Sequence, residues 1–275
     1  MFSFGLRLLQ GFKEKGQLCI GIDPSLDQLE SWNLPQSAEG AKAFSMALLD
    51  AAANQVSIVK PQVAFFEQFG PQGFNVLSYV LQEANSRQLI VIADAKRGDI
   101  GSTMTGYAKA WLSEEAVFMC DALTISPYLG LESLNQTVRT ALNNNRGLFV
   151  LAATSNPEAS SFQLAESDGK SLAKLVYDYA SGHSVDELGS VGIVYGATVN
   201  ASAVGIDLAG TPNFPLLVPG FGSQGVSLRQ ARGLLKEFSA VSICSVSRSV
   251  AGVARAGLED RIAFSKSELE IGLRA

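Results

Sequence analysis

"LIVIADAKRGDI", residues 89–100, changes character halfway along. Residues 89–93 are continuously apolar. That is what a parallel strand covered on both faces requires, where a half-exposed strand would alternate. Asp94, Lys96, Arg97 and Asp99 then follow within six positions. A strand that ends in a burst of charge is one beat of a longer pattern. Similar apolar runs are "LCIGID" from Leu18, "VSIVKP" from Val56, "ALTISP" from Ala122, "GLFVLAAT" from Gly147, "VGIVYGAT" from Val191, "PLLVPG" from Pro215 and "AVSICSVS" from Ala240. Stretches with helical spacing separate them. In "LESLNQTVRTALNNN", Leu131, Leu134, Val138 and Leu142 recur every three or four residues, and "SLRQARGLLKEF" from Ser227 does much the same. Eight alternations of strand and helix over about 250 residues predict an α/β fold, a (β/α)8 TIM barrel, as a single domain over residues 1–275. An open, doubly wound sheet is the alternative, because counting strands does not establish closure.

The 275 residues can bury a large core, and at 47% hydrophobic and 17% charged the chain reads as globular. A net charge of −5 argues against a broad nucleic-acid-binding face. Cys19, Cys120 and Cys244 are odd in number, far apart and set among apolar residues, so they read as reduced core cysteines. The opening "MFSFGLRLLQGFKEKG" lacks the features of a secretory leader, and no apolar run reaches 18 residues. The expectation is a cytoplasmic protein with no membrane partner.

The polar residues gather at one end of the runs. Asp23 ends the first, Lys60 the second, and Asp94 and Lys96 the third. Ser126 follows the fourth, Pro219 and Gly220 close the seventh, and Ser247 and Arg248 close the eighth. In a barrel these C-terminal strand ends converge on the face where active sites are built. Strand alternation puts Asp94 and Lys96 on one side, and Gly98 then breaks the strand and redirects Asp99. A single such charge could merely solvate a strand end. Charge at four of the eight ends implies a neutralising network or a site, since a half-buried charge costs several kcal/mol unless paired.

"PGFGSQG", residues 219–225, adds a second signal. Its glycines permit close backbone approach to an anion, Gln224 can contribute its amide, and Arg248 can grip a phosphate with two donors. The loops after strands seven and eight are the usual phosphate site of barrels. His183, the only histidine, lies far from any strand end and reads as a surface residue; Trp32 and Trp111 read as packing residues. No dinucleotide-binding glycine loop and no metal-ligand spacing is present.

"DAKRGDIGST" resembles the Asp-x-Lys-x-x-Asp-Ile-x-x-Thr signature of the orotidine 5′-phosphate decarboxylase family, in the form carried by its longer bacterial branch. "GIDPS", "VKPQ", "SPYLG", "TSNP", "PGFGSQG" and "SRS" extend the likeness over nearly the whole chain. The resemblance implies decarboxylation of orotidine 5′-monophosphate to uridine 5′-monophosphate, in pyrimidine synthesis, without cofactor or metal. It implies that Lys96 donates the proton, that Asp94 and Asp99 flank it, and that Lys60 completes the charge network. It further implies a homodimer in which Asp99, Ile100 and Thr103 enter the neighbouring subunit's site. Asp23 and Lys60 match the residues that hold the ribose hydroxyls, and Ser126 the group that reads the pyrimidine edge. Gln224 and Arg248 match the phosphate clamp beside Pro219 and Gly220, near a loop expected to close. Ser247 departs from the family, where many members have glycine.

The chemistry suits these residues. Loss of carbon dioxide leaves an electron pair on a ring carbon, and a fixed ammonium in a water-poor site stabilises it. A buried lysine alone would tend to shed its proton, which adjacent carboxylates oppose. The nearest alternative is the magnesium-dependent decarboxylase of 3-keto-L-gulonate 6-phosphate, which has a carboxylate ligand where this chain has Lys60. A Schiff-base aldolase and a catalytically silent phosphate-binding scaffold are the others.

Overall fold

The computed structural model describes residues 2–223 and 225–275. Each apolar run contains a strand: β1 Leu18–Ile22, β2 Ile58–Pro61, β3 Ile90–Arg97, β4 Ala122–Ile125, β5 Gly147–Ala153, β6 Val191–Tyr195, β7 Leu216–Val218 and β8 Ser242–Val246. Every neighbouring pair is parallel, and the order around the sheet is the order along the chain. The seam joins β1 to β8, with Leu18 opposite Cys244 and Ile20 opposite Val246. That closure makes the sheet a barrel and removes the open-sheet alternative. The strands are almost wholly buried because one face of each lines the interior and the other meets a helix.

The connections follow the expected periodicity with local breaks. Residues 131–143 form a 3-10 turn, Leu131–Leu134, and then the helix Asn135–Asn143. Leu134 and Val138 are buried there, while Leu131 and Leu142 pack at the edge of the core. The stretch after Ser227 is three short pieces, Leu228–Gln230, Ala231–Leu235 and Lys236–Val241, rather than one helix. Ser227 and Gln230 form a capping box at its start, and Lys236 turns the chain with φ of 49°. The β5–β6 connection holds a two-stranded hairpin that the sequence reading did not anticipate. Glu166 pairs with Ser171 and Ser167 with Lys170, around Asp168 and Gly169, both at positive φ. An Asp-Gly pair is a standard two-residue hairpin turn.

The N-terminal helix Phe4–Lys15 seals the bottom of the barrel. Phe4 is fully buried with its ring edge-on to Phe149 at 5.9 Å, and a Cβ on Gly147 would come within 2.2 Å of that ring. Asp121, just before β4, takes ion pairs from Arg7 and Arg146 and a hydrogen bond from the Val91 amide at 2.8 Å. With this end closed, the opposite end of the strands is left for a ligand. Among the described residues no helix is long and apolar enough to cross a membrane.

Candidate active site

The C-terminal end of β3 is not a simple strand end. Ala93 pairs with Leu123 and Arg97 with Ile125, so four steps on β3 face two on β4. The excess is absorbed in a bulge where Lys96 takes φ of 49°. A non-glycine residue in this region costs about 1–3 kcal/mol, and such strain persists only where the surroundings over-determine it. Here Thr124 does so. Its hydroxyl accepts from the Lys96 amide at 2.9 Å and donates to Asp94 Oδ1 at 3.0 Å. Asp94 and Lys96 do share one side as expected, but through a bulge rather than by alternation. The strand also runs on to Arg97, which pairs with Glu67. The strand ends directly before Gly98, as expected, and Gly98 is required for a second reason: a Cβ there would lie 2.7 Å from the Ser126 carbonyl oxygen.

Asp94 is the hub. Oδ2 accepts from Lys60 Nζ at 2.9 Å and from Gln62 Nε2 at 3.1 Å, and Oδ1 from Lys96 Nζ at 2.5 Å and the Thr124 hydroxyl. Burial by itself would raise the Asp94 pKa, but the Lys60 and Lys96 charges outweigh it and hold the carboxyl well below the usual range. Burial would likewise strip the proton from Lys60; Asp94 and then Asp23 outweigh that and push its pKa up. Both directions describe one buried ion pair, charged on both sides. Lys96 differs, because its side chain is 45% exposed while its ammonium is turned back onto Asp94.

A cavity of about 740 Å³ opens above this cluster. Lys60, Asp94 and Lys96 line it at one part, with Asp23, and Pro219, Gly220, Ser247 and Arg248 line it at another. Asp23 Oδ1 is buried and has no hydrogen-bond partner among the described residues. Arg248 makes no ion pair among the described residues. Gly220 and Gly222, with φ of 115° and 75°, let the β7 loop turn at this wall. Ser247 packs where Gly21 leaves room, since a Cβ on Gly21 would be 2.7 Å from that of Ser247.

Other expected residues lie elsewhere in the single chain. Asp99, Ile100 and Thr103 are not on the cavity wall. Asp99 Oδ1 accepts from the Ile100 amide at 2.8 Å, Ile100 is 59% exposed, and Thr103 is exposed in the first turn of the helix Gly101–Leu112. Ser126 lines a second, more apolar cavity of about 320 Å³, which shares Leu151 with the first. Gln224 lies outside the described residues. Gln62 and Thr124 were missed by the sequence reading. Gln62 was visible in "VKPQ" but given no role, and Thr124 showed only as a polar residue inside an apolar run.

The residues set aside are accounted for. All three cysteines are buried, and burial pushes the thiols of Cys19 and Cys120 up to about 12, which keeps them neutral. Trp32 and Trp111 pack in the core. His183 is half-buried against the Tyr179 ring rather than exposed, and caps the helix Leu172–Gly182. Among the described residues, no group of three or more His, Cys, Asp or Glu could hold a metal ion.

Comparison with known proteins agrees with the motif reading. The family model "Orotidine 5′-phosphate decarboxylase / HUMPS family" matches residues 16–256. An orotidine 5′-phosphate decarboxylase of Corynebacterium glutamicum is 41% identical over 254 residues, 90% of either chain. One from Streptomyces coelicolor is 44% identical over 231 residues, 82% of either chain. A crystal structure assigned as the same enzyme from Streptomyces avermitilis superposes with a TM-score of 0.93 at 38% identity, over 100% of this chain and 97% of that one.

Proposed function

The chain belongs to the orotidine 5′-phosphate decarboxylase / HUMPS family as a carboxy-lyase, and from that membership we propose that it converts orotidine 5′-monophosphate to uridine 5′-monophosphate without cofactor or metal. The observation that carries the proposal is the Lys96 ammonium, held 2.5 Å from a buried, fully hydrogen-bonded Asp94 at the wall of a cavity that Arg248 also lines. The carbon–carbon bond to the carboxylate breaks, carbon dioxide leaves, and the electron pair stays on the ring carbon. Lys96 gives that carbon a proton and recovers one from solvent. A cation fixed before the reaction needs no reorganisation as the negative charge develops, which is where preorganised sites gain most.

The other roles follow the geometry. Asp23 Oδ1, a buried acceptor with no partner among the described residues, suits a ribose hydroxyl, and Lys60 has donors left beyond the one it gives Asp94. Arg248, Gln224 and the backbone at Pro219 and Gly220 take the phosphate, and Ser126 reads the base from the adjoining cavity. Binding energy from the phosphate, remote from the reacting carbon, then helps the chemical step. Asp99, Ile100 and Thr103 do not line their own chain's cavity, and Ile100 and Thr103 are exposed. That supports a homodimer in which they complete the partner's site. Residues 1–275 act as one domain in this reading, in the cytoplasm.

Turnover is measured by the loss of orotidine 5′-monophosphate absorbance. The expected result is activity unchanged by a chelator. Lys96→Ala should lose at least about 10²–10⁴-fold in kcat while remaining folded, the range general-acid catalysis supplies. Chelator-sensitive turnover of a keto-sugar phosphate would favour the magnesium-dependent relative, and a substantial rate in Lys96→Ala would remove Lys96 as the acid.

A further inference from the structure

We infer that Arg261 is a positioning residue for the phosphate-binding end of the cavity, an inference that rests on the phosphate reading of Arg248 above. Arg261 lies in the first turns of the C-terminal helix Leu258–Arg274, beyond the last residue matched by the family model, 256. Among the described residues its four hydrogen bonds all go to backbone carbonyls. Nε donates to Val250 at 2.6 Å, Nη2 to Ala251 at 2.8 Å and Ala254 at 2.7 Å, and Nη1 to Ala256 at 2.6 Å. The chain curls around the fork through Gly252 and Gly257, with φ of 61° and 72°. A Cβ on Gly252 would sit 2.9 Å from Arg261 Cζ, and one on Gly257 3.3 Å from Nη1. The two glycines thus serve the turn and the side chain inside it together.

The segment so held is the one that carries Arg248. Arg248 opens the one-turn helix Arg248–Ala251, and Arg261 binds the carbonyls of its last two residues. From the other side Trp32 Nε1 donates to Ala251 at 3.2 Å and Gln28 Nε2 to Gly252 at 2.6 Å. A single helical turn has too few internal bonds to fix its own orientation. Its direction is therefore set from outside, with Arg261 supplying more donors than any other side chain named here. Ser247, Arg248, Gly252 and Val253 all line the cavity, so a shift of this turn moves the phosphate wall. Lysine cannot substitute: its ammonium is a point of three donors, whereas the carbonyls are spread around a planar fork.

The test uses the full-length chain as wild type, Arg261→Lys, Arg261→Met, Arg248→Ala and the double variant Arg248→Ala with Arg261→Lys. Affinity for uridine 5′-monophosphate and for uridine is measured by calorimetry, alongside KM and kcat. Either change at Arg261 should weaken uridine 5′-monophosphate by about tenfold and raise KM in step, the loss of roughly one charged hydrogen bond. Uridine affinity and kcat should change far less, and Arg261→Lys should add little once Arg248 is already alanine. If both Arg261 variants lower the melting temperature but keep the wild-type ratio of the two affinities, Arg261 is only structural and the inference fails. Should Arg261→Met not fold, Arg261→Lys decides alone, because it keeps the charge and most of the volume. A wild-type protein that binds uridine as well as its phosphate would overturn the phosphate reading itself, before any variant is made.

Discussion

Asp94 has both carboxylate oxygens filled by Lys60, Gln62, Lys96 and Thr124, and the Lys60 and Asp94 side chains are only 8% and 11% exposed. A pair this buried is stable as a pair and costly to break. The sign of its pH dependence follows from the two shifts. The Asp94 pKa is lowered from 3.8, so its contribution is complete above that value and lost as pH falls through the folded pKa. The Lys60 pKa is raised from 10.5, so its contribution is complete below that value and lost only as pH rises through the folded pKa. Across the neutral range the pair is constant. Asp94→Ala should therefore cost about 3–5 kcal/mol at neutral pH, since it strands a buried ammonium. The deficit should shrink as pH rises from about 6 to about 10, because the stranded Lys60 sheds its proton. Urea unfolding at several pH values reads this directly, and a deficit independent of pH would mean that Lys60 is not left alone. At this scale the sequence was informative for charges at strand ends: Asp23, Lys60, Asp94 and Lys96 all reach the cavity. It was silent on Thr124 and Gln62, because a neutral polar side chain in an apolar run signals nothing until its neighbour is known.

At the scale of the element, β3 shows what periodicity alone leaves out. Alternation predicts the side to which Lys96 points. It does not contain the bulge, which depends on the partner strand offering a hydroxyl at Thr124 to catch the displaced amide. Thr124→Val keeps the shape and removes both bonds. It should destabilise the protein by about 1–3 kcal/mol, as an unpaired buried polar group does, and lower kcat by loosening Lys96. Thr124→Ser, which keeps the hydroxyl, should recover most of both. Denaturation midpoints and turnover of the two variants check this, and equal behaviour would show that the bulge is held by other contacts. The eight strands themselves were legible because each is an uninterrupted apolar run. The segment after Ser227 was not, because a run of helix-forming residues does not announce the left-handed turn at Lys236.

For the whole molecule, the unused outer residues make a prediction about assembly. Asp99 does not line its own cavity, and its Oδ1 is bonded only to the adjacent Ile100 amide among the described residues, which leaves it available to a partner. Mixed chains of Lys96→Ala and Asp99→Ala, each inactive alone, should regain activity on being unfolded and refolded together, because a symmetric pair then contains one site with both residues intact. No recovery would count against sharing. The single chain's sequence could point to this only by family likeness, since nothing in hydrophobic spacing marks a side chain that acts on another molecule.

The join between Leu18 and Cys244 also governs how the protein is born. Until residues 242–246 have left the ribosome, seven of the staves stand as an incomplete ring with two raw borders, and such borders invite pairing with strangers. Contacts so distant along the chain form slowly. Nascent copies are thus most vulnerable to aggregation before the eighth strand emerges, and a premature stop before residue 242 would leave a product that is permanently open along its side.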